Sequence, residues 1–399
     1  MTIAEQTSVS PVVSAMRTIR LIGLTLGIGF LIFLGGALLQ GNFLIDRDGR
    51  PIANDFVNVV AAGQLARDGK AASAYDWPTH KEAEVEAIGH DFENYYGWHY
   101  PPTFLFVAVV LAGLPYLAAM LVSLGASFAA YAAALGTILD RRTGFFVAIG
   151  FPAALWNITA GQNGFLTAAL IGGTLGLLEK RPALAGICLG LLTYKPQFGL
   201  LFPLVLIADR RWLTIIVAAA VAAALGALSW LVFGTASWQA FVHWMPITSR
   251  VVLDEGGADW SRLQSLFGFV RAHGGSETLA WVIQGFGSVT VALGVVWLWW
   301  RRAAFDLKAA ALAAATLFVT PYLYMYDVVV LGVAVAFLLR YALAHGFTAS
   351  EIMGLVVASA LILIFPEVKT QTGLAAVLIV LAMIAQRAVA DARLIRPER

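Results

Sequence analysis

Asp55 follows Asn54 where the chain leaves its first long apolar run, and it precedes a helix-patterned stretch (Phe56, Val59, Val60, Leu65) that Gly69 ends. An aspartate in that place either caps the helix or takes a proton from a hydroxyl held at the bilayer surface. Asn54 caps equally well, so Asp55 is available as a general base. Lys195, with Pro196 and Gln197, stands at the tip between two half-length apolar segments, 182–194 and 198–208. A lysine there can snorkel to the interface. A lone cation and an amide on a proline-interrupted tip can also hold an anionic head group, with phosphate the obvious one. Gln162 and Asn163 occupy a similar tip, where amides bind sugar hydroxyls or satisfy helix ends. Tyr100 precedes Pro101 and Pro102, which fix a rigid, extended approach to the apolar residues that follow.

Metal chemistry finds little support. Asp46 and Asp48 form a short D-x-D pair of the kind that chelates a divalent ion with a nucleotide sugar. Glu82, Glu84 and Glu86 read as a solvated face. His80, His90, His99 and His243 lack ligand spacing, and Cys188 is the single cysteine, so neither a catalytic zinc nor a disulfide framework is expected. No metal and no cofactor is expected.

The elements that position these residues are membrane helices. The 399 residues are 60% hydrophobic and 13% charged, with a mean hydropathy of +0.79, far more apolar than a soluble core of this length could bury. The first apolar run, Ile19 to Leu39, is too long for a signal-peptide core and reads as a retained span. Basic residues in short loops, among them Arg141, Arg142, Lys180, Arg181, Arg210, Arg211, Arg301 and Arg302, place those loops on the cytoplasmic side. Residues 103–113 are too short to span comfortably and are broken by Gly113 and Pro115, so they are expected to lie along or dip into the outer leaflet. The chain thus reads as an all-α polytopic membrane protein of one domain, 1–399, with roughly 12 transmembrane helices and both termini inside. It has a helical first outer loop, 42–115, and a second outer loop, 235–278. The candidate residues all fall on the outer side. A net charge of +2 with scattered basic residues excludes nucleic acid as a partner.

Taken in order, Asp55-Phe56, Tyr75-Asp76, Tyr100-Pro101-Pro102, Gly161-Gln162-Asn163, Lys195-Pro196-Gln197 and Pro321 in "TPYLYMYD" resemble glycosyltransferase family 87. These are polyprenyl-phosphate-sugar-dependent enzymes of the GT-C fold that include actinobacterial α-1,2-mannosyltransferases. The resemblance implies inverting hexose transfer, mannose-like, from a polyprenyl-phosphate donor to a glycan or glycolipid acceptor at the outer face of the cytoplasmic membrane. It maps the catalytic base onto Asp55 and the donor-phosphate lysine onto Lys195, with Gln197 beside it and Arg262 or Arg250 adding charge. Tyr100, Gln162 and Asn163 would meet substrate. Mannosyltransferase relatives carry a histidine in the segment where this chain has Tyr324 or Tyr326, with Asp327 beside them. A transporter or flippase is the alternative, but it would need polar residues along both halves of the spans, and the inner halves lack them. A membrane scaffold whose outer loop binds a partner is a third reading.

Overall fold

A computed structural model describes residues 11–44, 54–257 and 259–394, so Asp46 and Asp48 lie outside the described residues. Among these the chain is helical, without a strand, and Leu263 and Tyr324 form an isolated antiparallel bridge. Six helices are long and apolar enough to cross a membrane: Pro11–Leu39, Tyr116–Ile138, Trp212–Asp254, Glu277–Trp300, Met325–His345 and Thr372–Asp391. Arg141–Gly150 and Pro152–Ala160, bent by 63° where Pro152 interrupts the backbone ladder, make a seventh if the pair acts as one span. The apolar helices Gly164–Leu177, Pro182–Tyr194, Pro196–Ala208 and Ala349–Leu363 are shorter, 10–17 residues. At about 1.5 Å per residue they fall short of a hydrocarbon core about 30 Å thick. By length and composition alone, six helices, or seven with the bent pair taken as one span, can cross a membrane.

Packing follows the membrane rule that small residues let backbones approach, because lipid gives helices no hydrophobic reason to associate. A Cβ on Gly186 would lie 2.7 Å from the Thr214 carbonyl oxygen, so the Pro182–Leu191 helix seats directly on the Trp212–Ser249 helix. The Phe305–Phe318 and Leu331–His345 helices are buried along most of their length and form the centre of the bundle. The Pro11–Leu39 helix instead exposes Leu31, Ile32 and Phe33 and runs along its outside. Several of the basic residues expected in short loops pair with acids. Arg20 meets Asp140 at 3.1 Å, Arg340 bonds Asp306 and the carbonyl of Ile138, and Arg387 bonds Glu351, the N3 acid of the Thr348 capping box.

Three expectations about the polar segments need correction. The Val57–Arg67 helix forms where the apolar pattern places it and ends before Gly69 (φ 75°), but as part of an outer loop it would be expected to keep a wetted face, and it is instead buried on nearly every side. The reason is that the short Leu105–Leu111 helix and the Trp77–Ile88 helix cover it, with Gly63 against the Ala108 backbone. The residues after 234 are not a loop at first. Gly234 (φ 78°, ψ 166°) breaks the direction, but helix resumes and runs to Ser249. Its aromatics cap the first polar segment, Trp244 stacking on Trp77 and Phe241 meeting Tyr75 edge-on. Finally, Glu84 is not part of a solvated face. It is fully buried, accepts the Tyr96 amide at 3.1 Å and lies 3.6 Å from the equally buried His80, while Glu82 and Glu86 are exposed.

Candidate functional site

Asn54 closes the turn that leads into the Val57–Arg67 helix, whose N-cap position is Phe56, without a side-chain cap. Its Oδ1 accepts the Phe56 amide and the Tyr116 hydroxyl, both at 3.1 Å, and its carbonyl accepts the Val57 amide at 2.9 Å. Asp55 makes no helix-capping bond either, and it is partly exposed. Gln162 Nε2 donates to its Oδ2 at 3.0 Å, and Oδ1 accepts no hydrogen bond among the described residues. Burial raises the Asp55 pKa above the ordinary carboxylate value; the Gln162 hydrogen bond and the charges of Arg262 and Lys195 pull it back, while Asp327 opposes them.

The Gly161-Gln162-Asn163 tip reaches Asp55 because Pro152–Ala160 ends there. Gly161 takes the left-handed conformation (φ 64°) that a side chain would strain, and Gly164 begins the next helix so close to Tyr326 that a Cβ would lie 2.3 Å from its carbonyl oxygen. Tyr100 joins this tip: its hydroxyl donates to Gln162 Oε1 at 3.2 Å and accepts from Asn163 Nδ2 at 2.7 Å. Its carbonyl accepts the Tyr75 hydroxyl at 2.9 Å, which ties the tyrosine of the Tyr75-Asp76 element to the same network. Asp76 serves the fold instead, capping the Trp77–Ile88 helix through the Thr79 amide.

Lys195 is neither a lone cation nor a snorkelling one. It is buried, and its Nζ donates to Asp327 Oδ1 at 2.8 Å. Asp327 opens the short helical turn Met325–Val330, so the two tips meet across the bundle. Tyr324 and Tyr326, both partly exposed, stack at 5.4 Å and 8°, with Lys195 Nζ 5.3 Å from the Tyr326 ring centre. Arg262 approaches from the second polar segment. It is exposed, its side chain makes no hydrogen bond or ion pair among the described residues, and its charge is felt at Asp55, Tyr324 and the nearby Asp259. The Leu263–Tyr324 bridge, the Gln264 amide donating to the Leu323 carbonyl at 2.6 Å, and Ser265 Oγ donating to the Pro321 carbonyl at 2.8 Å hold that segment on "TPYLYMYD".

The cleft thus gathers Asp55, Tyr100, Gln162, Asn163, Lys195, Arg262, Tyr324, Tyr326 and Asp327. It does not engage Gln197, which has no hydrogen-bond partner among the described residues, and Arg250 is exposed at the end of the Trp212–Ser249 helix. Sequence reasoning missed Tyr194, whose hydroxyl donates to the Asn163 carbonyl at 3.2 Å, and Gln264, whose Oε1 accepts the Gly373 amide, although Tyr194 adjoins Lys195 and Gln264 stands two residues after Arg262. Two cavities of about 410 and 460 Å³ lie elsewhere, beside Trp238 and His243 and between Phe33 and Trp156. Neither is lined by an acid or a lysine. Among the described residues no three His, Cys, Asp or Glu side chains converge as metal ligands would.

The model of glycosyltransferase family 87 matches residues 98–321, more than half of the chain. The chain belongs to glycosyltransferase family 87. Neither curated proteins nor solved structures gave a match. This membrane glycosyltransferase therefore carries Tyr100, Gln162, Asn163, Lys195, Gln197 and Arg262 within the family-defining stretch. Asp55 and the residues from Tyr322 to Asp327 lie outside that stretch and are joined to it by the hydrogen bonds and ion pair above.

Proposed function

We propose that this glycosyltransferase moves a mannose-like hexose from a polyprenyl-phosphate donor to a hydroxyl of a glycan or glycolipid acceptor, with inversion, at the outer face of the cytoplasmic membrane. The observation that carries this reading is the Asp55 carboxylate. One oxygen is held by Gln162, the other accepts no hydrogen bond among the described residues, and the cations Arg262 and Lys195 lie close enough to be felt. The acceptor oxygen gives its proton to Asp55 Oδ1 as it bonds the anomeric carbon. The bond from that carbon to the phosphate oxygen breaks on the opposite face, and the lipid phosphate leaves with the electron pair. A phosphate leaving group needs little protonation but needs positive charge. Arg262, being unpaired, meets it first, and Lys195 shares its charge between phosphate and Asp327, with Gln197 at the edge of the same tip. Tyr324 and Tyr326 offer stacked aromatic faces to a sugar ring, and Tyr100 and Asn163 sit on the hydroxyl side.

In this reading the shorter helices complete a GT-C-like bundle of about a dozen passes. The region over Leu105–Leu111 and the Lys195 tip opens sideways for the lipid, and no metal is required. The test is Asp55→Asn, which keeps shape but cannot accept the proton. Transfer to acceptor should fall by about 10² to 10⁴ with donor binding retained. Turnover above about a tenth of wild type would remove Asp55 from the base role.

A further inference from the structure

We infer that Gln162 is the positioning residue of Asp55, held in one amide orientation so that it always presents N–H to the carboxylate. The inference rests on the base role proposed above and concerns a function for Gln162 distinct from touching substrate.

The argument is one of hydrogen-bond direction. An amide side chain can flip, and its neighbours decide which end faces which. A backbone N–H can only donate, and that of Asn163 points at the Gln162 amide oxygen at 3.3 Å. The Tyr100 hydroxyl reinforces the choice. It accepts from Asn163 Nδ2 at 2.7 Å, so its own proton is free for Gln162 Oε1 at 3.2 Å. Asn163 is itself held by the Tyr194 hydroxyl on its carbonyl. The Asn163 backbone N–H therefore sets the direction: Gln162 Oε1 faces it, with the Tyr100 hydroxyl alongside, and Nε2 is left for Asp55 Oδ2 at 3.0 Å. Flipping Gln162 would set its oxygen against the carboxylate and its N–H₂ against the Asn163 amide, losing bonds at both ends.

The consequence is chemical. A donor fixed on Oδ2 stabilises the ionised carboxylate and leaves Oδ1 as the oxygen that takes a proton. It also counters the burial that disfavours charge at Asp55. Among the described residues, the other charged or titratable groups that face Asp55 are Arg262 from the second polar segment and Lys195 and Asp327 from the paired tips, with Glu84 more remote. The Tyr96, Tyr100, Tyr116, Tyr324 and Tyr326 phenols also feel its charge. None of these donates a hydrogen bond to it.

The test is the pH dependence of kcat/KM for the full-length enzyme in detergent or vesicles, with a polyprenyl-phosphate hexose as donor. A hydrogen bond to a charged group is typically worth about 1.5–3 kcal/mol, so Gln162→Ala should move the acid limb up by about one to two pH units. Tyr100→Phe deletes one oxygen and leaves the Asn163 amide in place, so it should give a smaller shift in the same direction. Gln162→Glu should shift it furthest, because two carboxyls in contact share one proton. If Gln162→Ala does not fold, Tyr100→Phe and Gln162→Glu still carry the test. An acid limb that stays in place in Tyr100→Phe and Gln162→Glu, or a Gln162→Ala effect confined to KM, would overturn the inference and make Gln162 a sugar ligand. Failure of the base reading is separate: it shows as residual turnover in Asp55→Asn, whatever the glutamine variants do.

Discussion

Replacing Asp327 by asparagine should be among the more damaging single changes away from the base. Asp327 and Lys195 are 1% and 5% exposed, and their atoms meet at 2.8 Å. At an effective dielectric constant of about 20 the attraction at that distance is roughly 6 kcal/mol, and much of it is spent on desolvating the two ions. The intact pair is thus close to neutral for stability. Asparagine removes the attraction and leaves the desolvation of Lys195 in full, which typically costs about 3–5 kcal/mol. The double variant Lys195→Met with Asp327→Leu removes both charges and should recover most of that loss. Thermal unfolding in detergent measures the first effect. Donor binding to the double variant then separates folding from charge, since a stable protein without Lys195 should bind a polyprenyl-phosphate hexose less tightly. Asp327→Asn melting with the wild type would refute the buried pair. A double variant that melts and binds donor as the wild type does would remove Lys195 from the phosphate site.

The remaining predictions are more local. Glu84→Gln should melt like the wild type near pH 4.5 and become progressively more stable than it as pH rises to about 8. Burial lifts the folded-state pKa of Glu84 from 4.5 to about 8, so the wild type loses stability across that window and the amide does not; parallel melting curves would mean that Glu84 is solvated. Tyr324→Ala and Tyr326→Ala should each lower kcat/KM by roughly two- to tenfold, from about 0.5–1.5 kcal/mol of ring contact, and unchanged kinetics would exclude a sugar platform. Activity should persist in EDTA, with Asp46→Ala and Asp48→Ala mild; abolition by chelation and by either substitution would make that pair a metal site and displace Lys195 from the phosphate.

What the sequence made legible were positions where polarity interrupts greasy helices. Asp55, the Gln162-Asn163 tip, Lys195 and the stretch around Tyr324 each break an apolar run, and a membrane chain tolerates such breaks only where something satisfies the backbone. What it left illegible was pairing over long separations. Lys195 meets Asp327 across 132 positions, and no local pattern tells a lone lysine from a matched one. Glu84 failed for a related reason. Its neighbours Glu82 and Glu86 are exposed, and only the fold turns the middle acid against His80 and the Tyr96 amide. Gly234 looked like the end of a span because glycine and polar residues follow apolar ones there. The helix changes direction at that residue and continues.

Asp55, Tyr324 and Tyr326 are partly exposed, yet burial is the largest influence on Asp55. Both are true of a recess: water touches the groups, but protein surrounds them. In such a place a charge acts over more distance than it does in open solvent, because fewer waters screen it. That weakens Asp55 as an anion and strengthens it as a base, since a carboxylate with a raised pKa binds a proton more avidly. The short helices produce this arrangement. Three of their ends, at Gly161, Lys195 and Tyr324, stop inside the bundle, and the helices at Val57–Arg67, Leu105–Leu111 and the distal part of Trp212–Ser249 close over the first polar segment. A set of full-length spans would have brought the same side chains to a flat, fully wetted surface, where the Asp55 carboxyl would gain nothing from its surroundings.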